Sequence, residues 1–470
     1  RGAKTALITT EGFRDVIEMR TESRFEQYDL NLSLPEPLLP RQMRYTVPGR
    51  IDANGNELLP LDRKEIEKVV RKVAIAEYES VAIGLIHSYA NNSHEKLVQE
   101  VVNDLMPKAM VSLSSEVSPQ MREYERFNTV VANAYIKPLM KSYLDRLKGK
   151  MKESGADCNI FLMHSGGGII SIESAANFPV RLVESGPAGG AVFAANIAEK
   201  YGLDKVLSFD MGGTTAKICL IKKYTPRTSR VFEVARTYRF KKGSGMPISI
   251  PVIDMVEIGA GGGSLAHVDE MKQIRVGPES AGSEPGPACY NKGGNKPAVT
   301  DADLVLGKLD PENFAVGSIK LNTSSSKEVL KNVIGNSLEM DTVTSAFGLV
   351  EVVDENMANA ARVHAVENGE DLSQYTMIAF GGAAPLHAGR LCEKLGVANR
   401  SVYMSLASFH EQKIKDIFSE LQLEATKFVR DCDPKSEILS DFKVYMRYSG
   451  QGWEIPIVLT KDQAMIPDVD

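Results

Sequence analysis

A segment near the middle of the chain combines the residue types that bind phosphate. Residues 207–217 read Leu-Ser-Phe-Asp-Met-Gly-Gly-Thr-Thr-Ala-Lys, so an apolar strand runs into Asp210, two glycines and two threonines before a second apolar strand begins. Glycines let backbone N–H groups approach phosphate oxygens, threonine hydroxyls add donors, and a strand-end carboxylate can hold Mg²⁺ directly or through water. The candidate ligands are Asp210, Gly212, Gly213, Thr214 and Thr215. Read alone, the segment fits an ordinary hairpin with a Gly-Gly turn equally well.

Two further glycine-rich corners favour the phosphate interpretation. Residues 380–387 read Phe-Gly-Gly-Ala-Ala-Pro-Leu-His, with small residues between a strand and a predicted helix, and residues 184–190 read Glu-Ser-Gly-Pro-Ala-Gly-Gly ahead of an Ala-rich helix. Free N–H groups at a helix N-terminus can bind a nucleoside or a phosphate. Each corner alone fits a tight turn, whereas the three together predict one ligand cleft. The added candidate ligands are Gly381, Gly382, Ala383, Gly186 and Gly189.

Other polar residues allow further interpretations. Asp254 could face the cleft, or could cap a turn at a strand end. Cys289, Asp301, Asp303 and His387 could assemble a metal site, but their spacing matches no standard zinc pattern. A small buried residue is the favoured interpretation of Cys289. Asp210 is the one candidate catalytic residue.

Known nucleotide-binding signatures of other folds do not occur in good context. No G-x-x-x-x-G-K-[ST] loop is present, and no G-x-G-x-x-G follows a first strand. Residues 261–264, Gly-Gly-Gly-Ser, lie outside any clear βαβ unit and are weak evidence for either signature.

Composition excludes several classes of function. The 470 residues are 43% hydrophobic and 25% charged, with a net charge of −6, which argues against a broad nucleic-acid surface. No stretch reaches the ~18 apolar residues of a membrane helix. The 5 cysteines form no CxxC pair, so we expect no disulfide framework and a cytoplasmic location.

The chain shows the alternating strands and helices of a layered α/β protein. Residues 62–117 predict helix, strand, helix and strand, and residues 128–154 predict a long helix interrupted near Pro138. We predict an α/β lobe over 1–120, a core over 121–400 with a glycine-rich insert at about 255–310, and a C-terminal segment over 401–470. That segment is predicted to hold a helix at 409–431 and two strands, 442–449 and 453–459.

Seven motifs together resemble the hydantoinase A, 5-oxoprolinase and acetone carboxylase β-subunit family. The resemblance covers most of residues 1–400. The motifs lie at residues 4–15, 164–168, 184–190, 210–215, 258–264, 282–288 and 381–387.

The resemblance implies an actin-like ATPase fold of the sugar kinase and Hsp70 type, with two lobes, ATP and Mg²⁺ between them, and a smaller C-terminal β-containing domain. Residues 210–215 would be the second phosphate hairpin and residues 381–384 the adenosine-side loop. Members normally carry a first hairpin, D-x-G-G-T, near the start of the chain, and this sequence has none. Either a preceding segment that carries this hairpin is missing, or the ATP chemistry is impaired. Because the chain begins without Met and within a predicted strand, we favour a missing segment. A gap near Arg400 and Ser401 is also expected.

The resemblance also implies a reaction and partners. ATP would phosphorylate a carbonyl oxygen in its enol or amide form, or bicarbonate, and the product would be carboxylated or hydrolysed, often on a hydantoinase B-like partner subunit. We favour ketone carboxylation. The alternatives are ring-opening hydrolysis of a hydantoin or 5-oxoproline type of substrate, and a non-catalytic nucleotide-binding scaffold.

Overall fold

The computed structural model describes most of the first 396 residues of the chain. The described ranges are residues 2–21, 26, 28–32, 34–156, 158–237, 243–315 and 317–396. Beyond them it describes residues 416, 418, 419, 422, 423 and 426 and two short strands. The helix predicted at 409–431 lies almost wholly outside the described residues.

The elements are numbered in chain order over the described residues. The helices are α1 Val16–Met19, α2 Arg63–Ile75, α3 Ser93–Leu105, α4 Ser114–Val117, α5 Glu123–Glu153, α6 Ile172–Asn177, α7 Ser185–Lys200, α8 Val299–Val305, α9 Thr323–Leu330, α10 Asn336–Leu338, α11 Thr342–Glu367 and α12 Ala384–Leu395. The strands are β1 Thr5–Thr10, β2 Arg44–Val47, β3 Arg50–Ile51, β4 Glu57–Leu59, β5 Ser80–Gly84, β6 Met110–Leu113, β7 Phe161–Met163, β8 Ile169–Ser171, β9 Lys205–Met211, β10 Ala216–Lys222, β11 Thr225–Pro226, β12 Thr228–Ser229, β13 Phe232–Val234, β14 Met246–Ile248, β15 Val252–Ile253, β16 Met255–Ile258, β17 Ser264–Val268, β18 Ile274–Ser280, β19 Thr376–Phe380, β20 Phe442–Met446 and β21 Ile455–Leu459.

The chain divides into two compact units that interleave along the sequence. The first unit holds residues 1–196 and 219–255, and the second holds residues 197–218 and 256–470. The predicted domain boundaries at residues 120 and 400 are sequential instead, and they stay a prediction. No helix in the described part of the chain is long and apolar enough to cross a membrane.

The first unit is built on a parallel sheet in the order β2-β1-β5-β6. Every residue of β1 and β5 is buried, as expected for strands covered on both faces. Helix α2 begins after Asp62, whose side chain accepts a hydrogen bond from the N–H of Lys64. It packs with α3 on one face of the sheet, and α5 packs on the other. The predicted alternation of strands and helices over 62–117 is confirmed.

The last strand of this alternation is shorter than predicted. Strand β6 ends at Leu113, and residues 114–117 form α4. The cause is the buried carboxylate of Glu95, whose Oε1 accepts from the hydroxyl of Ser114 at 2.6 Å. Its Oε2 accepts from the N–H and the hydroxyl of Ser115, at 3.0 and 2.6 Å. These charge-assisted bonds turn the chain out of the sheet.

The predicted interruption of the long helix near Pro138 is wrong. Helix α5 runs without a break from Glu123 to Glu153 with Pro138 inside it. Proline removes one backbone donor and crowds the carbonyl four residues earlier. The turn before Pro138 is fixed by tertiary packing, because Val130, Val131 and Ala134 are buried in the core of the first unit. Packing therefore outweighs the local preference.

One glycine of α5 gives a test of this helix. Gly149 is exposed, lies inside the helix, and would carry a Cβ with no heavy atom within 4 Å. We expect Gly149→Ala to raise the free energy of unfolding by about 0.5–1 kcal/mol, because alanine loses less backbone entropy in a helix. Urea unfolding followed by circular dichroism measures the change. Destabilisation by Gly149→Ala would contradict a continuous, solvent-exposed helix at this position.

The second unit is organised around β9, which lies between β19 and β10. Strands β19 and β9 are parallel, and Phe380 pairs with Asp210 at their carboxyl ends. Strand β16 also pairs with β10, and β17 and β18 form a separate antiparallel pair. Helix α12 packs against β19 and β9, and α11 packs against both α12 and α8. The pairing of Phe380 with Asp210 brings the two glycine-rich segments that follow these strands to the same edge.

Candidate functional site

The turn between β9 and β10 presents an open backbone face. The N–H of Gly212 donates to the carbonyl of Thr215 at 3.1 Å and closes the turn. Gly213 and Thr214 are exposed, while Met211 and Ala216 on either side are buried. No heavy atom lies within 4 Å of the position that a Cβ would take on Gly212 or Gly213. Within the described part of the chain, the N–H groups of Gly213 and Thr214 donate no hydrogen bond, so both are available to a ligand.

A second glycine loop, residues 261–264, supports this turn from behind. The N–H of Gly262 donates to the carbonyl of Gly212 at 3.0 Å, and the N–H of Gly263 donates to the carbonyl of Gly213 at 2.7 Å. A Cβ on Gly261 would lie 2.5 Å from the backbone nitrogen of Thr214, which no side chain can do without moving the turn. The contact requires glycine.

Residues 261–264 are not among the ligands predicted from the sequence, because they fit no βαβ signature. The usable signal was a run of three glycines between two strands, closed by a serine. In the structure, the hydroxyl of Ser264 accepts from the N–H of Gly261 at 2.9 Å and fixes the loop.

The loop after β19 supports the turn from the other side. The N–H of Ala383 donates to the carbonyl of Met211 at 2.9 Å. Gly381 has a φ of +97°, and a Cβ there would lie 2.5 Å from Oδ1 of Asp210, so the Asp210 carboxylate lies directly against this glycine. The structure therefore brings together the following predicted ligands: Asp210, Gly212, Gly213, Thr214, Thr215, Gly381, Gly382 and Ala383.

The remaining predicted ligands belong to the first unit. Residues 184–190 were predicted as a loop, but α7 begins at Ser185, so Gly186 and Gly189 lie in its first two turns. Gly186 has open space where a Cβ would be, and a Cβ on Gly189 would make only ordinary contacts with Met163. That these glycines share a cleft with the turn at Gly212 stays a prediction.

Asp254 comes directly after strand β15, as in the second of the two interpretations offered for it. Its N–H donates to the carbonyl of Arg227 at 2.8 Å, and its Oδ2 lies 3.5 Å from Nε of the same arginine. Both residues are in the first unit. Burial and the nearby Asp254 carboxylate raise the pKa of Cys219 to about 12, so that thiol stays protonated.

Helix α8 holds the 261–264 loop in place. The N–H and the hydroxyl of Thr300 both donate to the carbonyl of Gly262, each at 2.7 Å. One residue on, the buried carboxylate of Asp301 fixes the start of α8 by accepting four hydrogen bonds. Its donors are the N–H groups of Ala288, Cys289 and Ala298 and the hydroxyl of Ser326.

The hypothetical metal site divides into two separate parts. Asp301 uses both oxygens in the backbone network that includes the N–H of Cys289. Burial, followed by the Asp301 carboxylate, raises the pKa of the Cys289 thiol, which disfavours the thiolate that binds metals. Across the described residues, no group of three His, Cys, Asp or Glu side chains could hold a metal ion.

Asp303 and His387 belong to a different, fully buried cluster. Nδ1 of His387 lies 2.8 Å from Oδ1 of Asp354, and its Nε2 lies 3.3 Å from Oδ2 of Asp303. The three residues are at most 1% exposed. Lys308 closes the cluster, with Nζ 3.1 Å from Oδ1 of Asp303. Sequence analysis missed Asp354, whose only signal is an acidic residue on the apolar face of α11.

The charge of His387 follows from these neighbours. Burial alone would lower the pKa of the imidazole, but the hydrogen bonds and charges of Asp303 and Asp354 outweigh it and raise the pKa to about 9. The imidazole of His387 thus lies between two carboxylates, and the Lys308 ammonium lies beside one of them. A buried ion pair needs this compensation to be stable.

Comparison with known proteins now identifies the family. A family model described as hydantoinase/oxoprolinase matches residues 126–410, and a model of its N-terminal region matches residues 1–106. The chain belongs to the hydantoinase/oxoprolinase family.

Three relatives illustrate its range. An uncharacterised protein of Methanocaldococcus jannaschii is 38% identical over 99% of this chain and 72% of its own length. The caprolactamase α subunit of Pseudomonas jessenii is 35% identical over 84% of this chain and 56% of its own length. The acetophenone carboxylase γ subunit of Aromatoleum aromaticum is 30% identical over 92% of this chain and 61% of its own length. The chain thus spans a little over half of these two characterised relatives.

Solved structures agree on the fold. A nucleotide-free acetone carboxylase chain superposes with a TM-score of 0.72 and 24% identity, over 97% of this chain and 69% of that one. The ATP-dependent caprolactamase of Pseudomonas jessenii superposes with a TM-score of 0.66 and 30% identity, over 98% of this chain and 70% of that chain. The chain has the actin-like ATPase fold of these neighbours, which confirms the predicted fold class.

The raised pKa of His387 predicts how stability depends on pH. A group whose pKa rises on folding, here from an ordinary 6.5 to about 9, stabilises the protein fully below pH 6.5, and this contribution is lost as pH rises through 9. We expect a contribution on the order of 3 kcal/mol. The difference in free energy of unfolding between wild type and His387→Asn should shrink between pH 6.5 and pH 9.5, as measured by urea unfolding. A difference that stays constant over this range would show that His387 is not charged in the folded protein.

Proposed function

We propose that the loops at residues 210–215, 261–264 and 381–383 bind the phosphates and nucleoside of ATP, and that the chain is the ATP-dependent subunit of a larger enzyme. The observation that carries the proposal is the turn at Gly212–Gly213. Its outward N–H groups are free, the space above it is open, and two other glycine loops hold it from behind and from the side. An ordinary hairpin turn needs no such support.

The residues present fit both ATP and Mg²⁺. The N–H groups of Gly213 and Thr214 and the hydroxyls of Thr214 and Thr215 would hold phosphate oxygens, and Asp210 would hold Mg²⁺ through water. Gly381, Gly382 and Ala383, at the start of α12, would contact the nucleoside side. Backbone donors and a carboxylate suit phosphoryl transfer, in which catalysis is mostly positioning and neutralisation of charge.

For the substrate we propose a carbonyl compound, in its enol or amide form, or bicarbonate. Phosphate on an amide or bicarbonate oxygen makes that oxygen a good leaving group, which prepares the carbon for hydrolysis or for release as carbon dioxide. Phosphate on a ketone oxygen holds the ketone in its enol form, and when the O–P bond is hydrolysed the electrons released reach the α carbon, which forms the new bond to carbon dioxide. The acetophenone and acetone carboxylase subunits among the relatives support ketone carboxylation. The higher identity to a caprolactamase subunit supports amide hydrolysis, so that reaction is the second candidate. The partner we propose is a subunit of the hydantoinase B type; the relatives named as subunits support a multi-subunit enzyme.

Two glycine variants separate ligand binding from folding. Gly213→Ala places a methyl group in the open space above the turn, so we expect wild-type stability and nucleotide affinity weakened by about tenfold or more. Gly261→Ala forces a methyl group into the Thr214 backbone, so we expect a loss of about 1–3 kcal/mol of stability. Titration with a fluorescent ATP analogue and thermal unfolding measure the two effects. If Gly213→Ala bound ATP as tightly as wild type, the turn would not be a phosphate site.

Asp210 tests whether the bound ATP is used. We expect Asp210→Asn to lose at least about 100-fold in substrate-stimulated ATP hydrolysis, because neutralisation of phosphate charge depends on the carboxylate-held Mg²⁺. Asp204→Asn is the matched control, because Asp204 is exposed just before the opposite end of β9.

The assay uses the full-length protein assembled with its partner subunits. ATP hydrolysis is measured with acetophenone and acetone in the presence of bicarbonate, and with caprolactam, hydantoin and 5-oxoproline. Stimulation by a ketone selects carboxylation, and stimulation by a lactam selects hydrolysis. If Asp210→Asn dissociated the complex without changing ATP hydrolysis, the chain would be a scaffold instead of a catalytic subunit.

A further inference from the structure

The buried cluster of Asp303, Asp354, His387 and Lys308 has no part in the site as described so far. Its three innermost residues lie on three different helices, α8, α11 and α12. A buried cluster with both carboxylates in contact with one imidazole is costly to bury, and its ion pairs depend on one geometry. The helices that carry this cluster also hold two of the glycine loops, and this connection indicates a role for the cluster.

Each end of the cluster leads directly to one glycine loop. Asp303 is on α8, three residues after Thr300, whose N–H and hydroxyl hold the carbonyl of Gly262. His387 is in the first turn of α12, four residues after Ala383, whose N–H holds the carbonyl of Met211. Asp354 is on α11, which packs against both other helices. The imidazole thus lies between the two helices that carry the supports of the phosphate turn.

The position of His387 also needs an explanation of its own. A positive charge in the first turn of a helix opposes the helix dipole, and burial opposes it again. The aspartates of α8 and α11 overcome both effects, so the charge is stable only while the three helices stay together. Separation of α12 from α8 would break the contact of His387 with Asp303 and leave the buried imidazole with Asp354 as its one carboxylate partner in the cluster, which is unfavourable for a buried charge.

From this geometry we infer that His387 is a positioning residue that locks α12 to α8 and α11, and thereby sets the distance between the 381–383 loop, the 261–264 loop and the phosphate turn. It does not contact the ligand itself. The inference rests on the proposed ATP site for its functional consequence, but the structural lock can be tested without ATP.

The main variant is His387→Asn. The asparagine amide retains a donor near Nδ1 for Asp354, but the charge and the contact with Asp303 are lost. We expect the variant to fold, and we expect faster hydrogen exchange in peptides that cover residues 210–215 and 381–384, because the bond from Ala383 to Met211 opens more often. With ATP, we expect the dissociation constant to rise about tenfold, and kcat at saturating ATP to change by less than about twofold.

His364→Asn is the matched control. His364 is another nearly buried histidine on α11, only 6% exposed, and it bonds Asn368 in the last turn of that helix. We expect this variant to lose stability but to keep wild-type exchange at residues 210–215 and 381–384 and wild-type ATP affinity. Asp303→Asn, which preserves shape and removes only one charge of the lock, serves if His387→Asn does not fold, and should show the same exchange pattern.

Each result decides between the alternatives. Wild-type exchange at both loops in folded His387→Asn, or in Asp303→Asn, would overturn the inference and leave the cluster as core packing only. Faster exchange at both loops in a protein whose wild type binds no ATP would support the lock and reject the proposed ATP site. Faster exchange together with weakened ATP binding would support both.

Discussion

Three consecutive carbonyl groups, those of Met211, Gly212 and Gly213, determine the construction of the second unit's site. They accept hydrogen bonds from the N–H groups of Ala383, Gly262 and Gly263, so each of these acceptors on the inner side of the turn has a partner within the protein. The N–H of Gly212 closes the turn by donating to the carbonyl of Thr215, and the N–H groups of Gly213 and Thr214 are left on the outer side. A peptide carries its donor and acceptor in opposite directions, and satisfying every acceptor from behind is what leaves the donors together and free in front.

This arrangement demands close approach of three backbones, and close approach demands rigid supports. Glycine removes the side chains that would keep the loops apart, but it also adds backbone freedom that favours other conformations. The helices α8 and α12 offset that freedom, because α8 holds the 261–264 loop through Thr300, α12 directly follows the 381–383 loop, and each helix is fixed by buried polar contacts. Asp301 fixes α8 through four donors, and the Asp303–His387–Asp354 contacts fix α12.

The sequence predicted the local parts of this site better than their assembly. The strands and helices around Asp210 and Gly381 follow from apolar periodicity, whereas the parallel pairing of β9 with β19 that brings the two corners to one sheet edge comes from the structure. The role of residues 261–264 could not be predicted, because it depends on a contact between segments about fifty residues apart in sequence. Asp354 was also missed, since the sequence does not show which residue of another helix an acidic residue on an apolar helix face will contact. The error at Pro138 has the same origin: tertiary packing decided against a local rule.

The glycines of this site are of two kinds, which cannot be distinguished in the sequence. At Gly261 and Gly381 a Cβ would collide with backbone or with Asp210, whereas at Gly212 and Gly213 it would meet nothing. The first kind is required by the fold itself, since substitution there displaces neighbouring atoms whether or not a ligand is bound. The second kind is required by nothing in the described protein, so an ordinary hairpin would tolerate alanine there. At this turn the N–H groups of Gly213 and Thr214 are also free, so glycine that the fold does not need supports the proposal that a ligand approaches the backbone there.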